Sequence, residues 1–320
     1  MNKKALIIGV SGQDGAYLAR LLLEKRYRVY GTSRDHEMTS FVNLEKLGVK
    51  NKVTLCSMTA SDFRSVLTTL QEVEPDEIYN LAGQSSVGLS FSYPVETFES
   101  ISVGTIHLLE CLRILKRKVR FYNAGSSEVF GNTITPACEQ TSFQPRSPYA
   151  TAKAAAHYAV ANYREAYGLF ACTGILFNHE SPLRPARFVT QKIISTALRI
   201  ASGSKERLEL GNLAIHRDWG WAPEYVEAMW RILQHSKPED FIIATGKMYS
   251  LEEFVKKTFD HLGLKSEDYL DVNNSLLRPS DIEKSVGDPG KAASLLGWKA
   301  EVTLDEIISR MLQEQVLLRS

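Results

Sequence analysis

The chain has 320 residues, enough for one large or two modest domains with a real core. Its 44% hydrophobic and 23% charged residues, with 20 Gly and 11 Pro, match ordinary soluble proteins and exclude disordered, repeat and fibrous classes. Basic and acidic residues number 38 and 37, so no global field draws the molecule to nucleic acid or to an acidic membrane surface, and any anion site must be local.

From the N-terminus, Met1-Asn-Lys-Lys leads into Ala5-Leu-Ile-Ile-Gly9, an apolar run too short for a signal peptide or a membrane span. A cytoplasmic, soluble protein is therefore expected. Strand-length apolar runs follow at Lys4–Ile8, Arg28–Thr32, Val53–Leu55, Glu77–Leu81, Val119–Ala124 and Phe170–Leu176. Helical patterns alternate with them, most clearly at Gly15–Lys25, Phe63–Glu72, Val95–Leu115 and Ser147–Tyr167. That alternation predicts an α/β protein with a Rossmann-type, doubly wound parallel sheet, whose ligands lie beyond the carboxyl ends of the strands. After Leu176 the regularity weakens around Pro182, Pro185, Pro223 and Pro238. The expected division is 1–177 for a dinucleotide-binding domain and 178–320 for a smaller C-terminal α/β substrate-binding lobe. Amphipathic segments at Pro223–Leu233 and Leu304–Leu318 are candidates to return to the first domain, roughly over 220–235. Cys56, Cys111, Cys138 and Cys172 are far apart and form no C-x-x-C pair, which argues against a zinc site and a disulfide-stapled module, so no metal is expected.

The first strand runs into Gly9-Val-Ser-Gly12-Gln-Asp-Gly15 and then a helix, the placement that gives a glycine triplet meaning. Gly9 permits the turn, Gly12 lets the backbone approach a pyrophosphate, Gly15 allows close helix packing, and the helix N-terminus faces the phosphates. At the end of the second strand, Gly31-Thr-Ser-Arg34 offers a cation suited to a 2′-phosphate, which points to NADP; Asp35, next in line, keeps NAD as the alternative. Arg26, after the first helix, occupies a place where glycine would fit a left-handed cap more comfortably.

The fifth strand ends in Asn123-Ala-Gly-Ser126-Ser127-Glu128, and the next helix carries Tyr149 and Lys153. A spacing of four puts both side chains on one helix face, where the ammonium stabilises a phenolate and makes tyrosine a base. Tyr-x-x-x-Lys is common by chance, and its position one element after a strand-terminal serine is what points to catalysis. Glu128 suits a carboxylate base; the bland alternative is a strand-end carboxylate in a turn, and for Ser127 a capping serine.

These residues resemble the extended short-chain dehydrogenase/reductase superfamily. More narrowly, Gly9–Ala19, Tyr79–Ser85, Pro145–Lys153, Asn162–Gly168, Gly174–Pro182, Phe188–Lys192 and Arg217–Gly220 are similar to the GDP-mannose 4,6-dehydratase family, over nearly the whole chain. The resemblance implies conversion of GDP-mannose to its 4-keto-6-deoxy form. Tyr149, held by Lys153 and Ser126, would act at carbon 4, and Glu128 at carbon 5, with Glu128 or Ser127 assisting at carbon 6. It extends the cofactor set to Gln13, Asp14, Asp62, Leu81 and Ala82, and implies a substrate set of Ser85, Asn178, Val189, Lys192, Arg217, Arg278 and Glu283. It also implies a homodimer through a bundle of helices from Val95–Leu115 and Ser147–Tyr167. The family's arginine-serine loop after the second strand, which supports a tetramer, is mostly replaced here by Asp35-His-Glu-Met-Thr-Ser-Phe-Val-Asn-Leu. Thr59, Gly83, Ser86 and Gln191 also depart from the pattern; Gly83 and Ser86 fall beside the sugar and open the alternative of a GDP-linked heptose. A keto-reductase or epimerase, and a non-catalytic NADP-binding protein, are the remaining rivals, and Glu128 is the residue that separates a dehydratase from them.

Overall fold

The computed structural model describes residues 2–317. In chain order the first half comprises β1 (Lys4–Ile8), α1 (Gln13–Glu24), β2 (Arg28–Ser33), α2 (Val42–Lys46), β3 (Thr54–Ser57), α3 (Phe63–Val73), β4 (Glu77–Asn80), α4 (Val87–Ser92), α5 (Pro94–Phe98), α6 (Gly104–Leu115), β5 (Arg120–Ala124), α7 (Pro148–Tyr167) and β6 (Phe170–Leu176). The second comprises β7 (Asn178–Glu180), α8 (Val189–Ala201), β8 (Leu208–Leu210), β9 (His216–Arg217), β10 (Trp219–Trp221), α9 (Ala222–Gln234), β11 (Phe241–Ile243), β12 (Tyr249–Ser250), α10 (Leu251–Asp260), β13 (Leu270–Val272), β14 (Lys284–Ser285), α11 (Gly290–Leu296) and α12 (Leu304–Leu317). Among these described helices none is long and apolar enough to cross a membrane.

The main sheet has the order β11-β6-β5-β4-β1-β2-β3, and every pairing is parallel. Its strands are apolar on both faces because helices cover both: Ala5, Ile7, Tyr79 and Tyr122 pack toward α1 and α9, while Leu6, Ile78 and Phe121 pack toward α3, α6 and α7. The strand order reverses between β1 and β4, so their carboxyl ends diverge and leave a crevice. A second core, built from Ile193, Leu208, Trp219, Phe254, Phe259, Ile307 and Met311, joins α8, α10 and α12 to the small sheets. Trp219 and Trp221 are buried, as packing residues would be.

Local chemistry explains the boundaries. Ser147 accepts the Ala150 N–H at 3.1 Å and Pro148 opens α7, while Gly168 closes it at φ +67°. The predicted helix over Val95–Leu115 is broken into α5, a π-helical turn at Glu99–Val103, and α6. Within that wide turn Ser102 donates to the Ala152 carbonyl at 2.9 Å, fastening the segment to α7. The third strand starts later than predicted because Lys50–Lys52 winds into a 3₁₀ turn. α9 packs on α1, β5 and β6, and α12 packs on α8 and α10. The proposed end of the last helix at Leu318 lies outside the described residues.

Arg26 adopts φ +64°, in the left-handed region, with Tyr27 N–H returning to the Leu22 carbonyl at 2.9 Å. Arg26→Gly is expected to stabilise the fold by about 1 kcal/mol, read as a higher urea midpoint at unchanged slope; an unchanged or lower midpoint would show that the position carries no strain.

Candidate active site

Gly9 turns the chain out of β1 at φ +88°, a conformation that favours glycine. A Cβ on Gly15 would stand 2.7 Å from the Val10 Cα, so only glycine lets α1 start this close to the turn. Helix α1 begins at Gly12 with no side chain capping it, and a Cβ there would meet only the Gly9 carbonyl, at 3.4 Å. Free N–H groups therefore face open space at the positive end of a three-turn helix, a cradle that fits a pyrophosphate. Leu81 and Ala82 close its other side: Leu81 N–H donates to the Ile8 carbonyl at 3.0 Å, and the Ala82 backbone lies against Gly9.

Arg34 is exposed at the end of β2, and among the described residues it has no ion-pair partner. Beside it the Ser33 hydroxyl is buried without a hydrogen-bond partner. Asp35 is committed elsewhere, since its carboxylate accepts the N–H groups of Glu37 at 3.0 Å and Met38 at 3.1 Å. Asp62 caps α3 by accepting the Ser65 N–H at 3.1 Å. Gln13 and Asp14 are both engaged within the protein: Gln13 accepts from Ser181 at 2.7 Å, and Asp14, which also lines the cavity at the strand ends, pairs with His179 at 2.9 Å.

A cavity of about 380 Å³ opens between the carboxyl ends of β4, β5 and β6 and the second core, lined by Ser126, Ser127, Glu128, Tyr149 and Lys153 together. Lys153 donates to the carbonyl of Ala124, the last residue of β5, at 2.8 Å, and its Nζ is 5.8 Å from the Tyr149 ring centre. Ser126 accepts the Glu128 N–H at 3.3 Å. Burial pushes the Tyr149 phenol up to about 12, opposed by its hydrogen bond with Ser126. Burial likewise lowers the Lys153 ammonium to about 8, opposed by the Asp14 charge. Burial also raises the Glu128 carboxyl, while Arg217 and Arg278 pull it back. Among the described residues nothing hydrogen-bonds the Glu128 carboxylate, which leaves it free toward the cavity.

The far end of the same cavity is lined by Ser85, Asn178, Val189, Lys192, Arg217 and Arg278. Arg217 is buried, donates to the Ile282 carbonyl at 2.7 Å, and pairs with Asp281 at 3.1 Å; Arg278 lies 3.6 Å from the same aspartate. Lys192 donates to the Glu209 carbonyl at 2.6 Å. Glu283 is brought near neither group: it is exposed, outside the cavity lining, and its N–H donates to Asn132 at 2.7 Å. Residues without an assigned role in the sequence reading, His179, Glu180 and Arg184, also line the cavity. Their only signal was the ionisable pair His179-Glu180 directly after a buried strand, with Arg184 four residues beyond Glu180.

A parallel sheet with its glycine turn opposite a Ser-Glu-Tyr-Lys cluster defines an enzyme of the extended short-chain dehydrogenase/reductase type. The family model described as GDP-mannose 4,6 dehydratase matches residues 6–311, and the chain belongs to that family. It is 44% identical over 326 residues to GDP-mannose 4,6 dehydratase 2 of Arabidopsis thaliana, covering 99% of this chain and 87% of that one. It is 40% identical over 351 residues to the GDP-mannose 4,6-dehydratase of Vibrio cholerae, covering 99% and 94%. Among solved structures, the fold is shared with the dTDP-glucose 4,6-dehydratase of Streptomyces venezuelae with NAD and TYD bound, at TM-score 0.88, 21% identity and coverage of 99% and 98%. It is shared also with RMD of Pseudomonas aeruginosa complexed with NADPH, at TM-score 0.80, 22% identity and coverage of 98% and 97%.

Proposed function

We propose that this chain converts GDP-mannose to GDP-4-keto-6-deoxy-mannose, with NADP held in the glycine turn. The observation that carries this is Glu128: a half-buried carboxylate, lining the cavity without a hydrogen-bond partner among the described residues, beside the Ser126–Tyr149–Lys153 cluster. Oxidation or epimerisation at carbon 4 needs no second base, whereas elimination across carbons 5 and 6 does. The relatives' names favour the hexose over a heptose as substrate.

A nicotinamide dinucleotide held by the Gly9–Gly15 turn would supply the hydride chemistry that no side chain here performs, from carbon 4 and back to carbon 6. Tyr149 takes the proton of the 4-hydroxyl, assisted by the Ser126 hydroxyl and by the Lys153 ammonium that Ala124 fixes in place. The 4-ketone acidifies carbon 5, whose proton Glu128 takes, and the carbon 6 hydroxyl leaves as water with a proton from Glu128, Ser127 being the second donor within the cavity. A proton returned to carbon 5 completes the balance, so one water is lost and no cofactor is consumed. Burial suits Glu128 to this cycle, because desolvation raises its proton affinity above that of an ordinary carboxylate and makes it a stronger base. Lys192, Arg217 and Arg278 would neutralise the diphosphate, and Arg34 with the unpartnered Ser33 hydroxyl would hold a 2′-phosphate. The active form is proposed to be a homodimer: Val95, Val103, Ile106 and Tyr158, on or between α5, α6 and α7, are exposed apolar residues that a second copy would cover. A monomer mass by sedimentation equilibrium would refute this.

Glu128→Gln is expected to keep its affinity for the GDP-sugar while turnover falls roughly a hundredfold to ten-thousandfold; product formation at a near-normal rate excludes it as the base. For Arg34→Glu, affinity for NADP should fall by about tenfold or more, against little change for NAD. Equal retention of NADP in a titration of the two cofactors would place the 2′-phosphate contact on other residues.

A further inference from the structure

Asp14 sits in the first turn of α1, at the heart of the dinucleotide cradle, yet its carboxylate turns inward. Its Oδ2 lies 2.9 Å from His179 Nε2 across 165 residues of sequence, and its Oδ1 accepts from the Gln13 amide at 3.0 Å. The other ring nitrogen of His179, Nδ1, is 2.8 Å from the Phe177 carbonyl. A carbonyl only accepts, and so does an ionised carboxylate, so both ring nitrogens must donate and the ring is an imidazolium. Gln13 doubles the link, donating to the His179 carbonyl at 3.3 Å and accepting from Ser181 at 2.7 Å. The ring itself is held flat against Tyr225 of α9, with centres 4.6 Å apart and planes at 24°. Three polar contacts thus join the helix of the cofactor cradle to β7 and the Ser181 that follows it, and the stack fastens the same strand, which carries Asn178 into the substrate cavity, to α9.

We propose that His179 is a positioning residue for catalysis, a permanently charged imidazolium that clips α1 to β7 and cancels the Asp14 charge lining the same cavity as Tyr149 and Lys153. Without it, a bare carboxylate would stand beside the pair that must give up a proton. Charge in this region is otherwise nearly balanced: Arg184 lies 3.3 Å from Glu180 on β7, Glu128 faces Arg217 and Arg278, and the neutral phenols of Tyr122 and Tyr225 complete the surroundings of the clip. The Asp14 charge raises the proton affinity of both Tyr149 and Lys153. Burial opposes both shifts, yet the pairing holds Asp14 down at about 2 and raises His179 above its ordinary value, in the direction the hydrogen-bond geometry requires.

Because the role of His179 rests on the reading of Tyr149 as base, the test uses the holoenzyme and its pH profile of kcat/KM, whose acid limb reports loss of one proton from the coupled Tyr149–Lys153 pair. In His179→Gln, which keeps a hydrogen-bond donor but not the charge, the limb is expected to move up by about half a pH unit or more. In Asp14→Asn/His179→Gln, where no charge remains to cancel, it should return to the wild-type position. A limb that stays put in the single variant, or moves equally in both, overturns the proposal. Should His179→Gln fail to fold, ¹⁵N shifts of the wild-type imidazole at pH 8 decide it: two protonated nitrogens support the clip, and a neutral ring overturns it. Absence of any dehydratase turnover in the wild-type holoenzyme would instead count against the proposed function.

Discussion

Lys153 reaches from α7 back to the carbonyl of Ala124, and that 2.8 Å bond between a helix and the tip of a neighbouring strand organises the sheet end of the cavity. It stations a buried ammonium between the end of β5 and the face of α7 that carries Tyr149. Ser147 and Pro148 start α7 at the register that makes this reach possible, and the β5 tip turns directly into Ser126 and Glu128. Burying a cation costs several kcal/mol unless it is hydrogen-bonded, so Lys153, the one buried lysine among the described residues, is a fixed positive centre beside a phenol.

Electrostatics then divides the cavity into two zones. At the sheet end, burial raises Tyr149 and Glu128, and the full charges close by include Lys153, the Asp14–His179 pair and the Arg184–Glu180 pair. At the other end, Arg217, Arg278 and Lys192 crowd around Asp281 and the Glu209 carbonyl, an excess of positive charge that a diphosphate would balance. Glu128 stands where the zones meet, with desolvation and two guanidinium groups pulling its proton affinity in opposite directions.

The sheet was legible because its strands are short apolar runs separated by capped helices, and β1 and β6 match the boundaries read from the pattern. Gly9 and Gly15 were legible because a side chain would be strained at the first and would clash at the second, while Gly12 belongs to the pattern by the open approach it leaves rather than by necessity. Arg26 was legible as an ill-suited left-handed residue, and it is one. What pattern could not show were pairings made across the fold. Asp14 looked like a cofactor residue from its motif, and only the packing of β7 against α1 reveals His179 as its partner. The π turn before α6 was hidden in a continuous helical period, because Ser102 and Thr105 stabilise it through contacts with Ala152 and Ile101 rather than through any breaker residue. Glu283 and Asp62, drawn from resemblance, take up local duties in a strand flank and a helix cap, which single-residue matching does not distinguish from a binding role.

The most direct test follows one hydrogen. GDP-mannose carrying deuterium at carbon 4 is incubated with the holoenzyme and a trace of NADP, and the product is examined by NMR. If Tyr149 and Glu128 serve one sugar in one uninterrupted cycle, the label appears at carbon 6 of the 4-keto-6-deoxy product, without net reduction of the cofactor. Label left in the free dinucleotide, or a keto-sugar that retains its 6-hydroxyl, would contradict it.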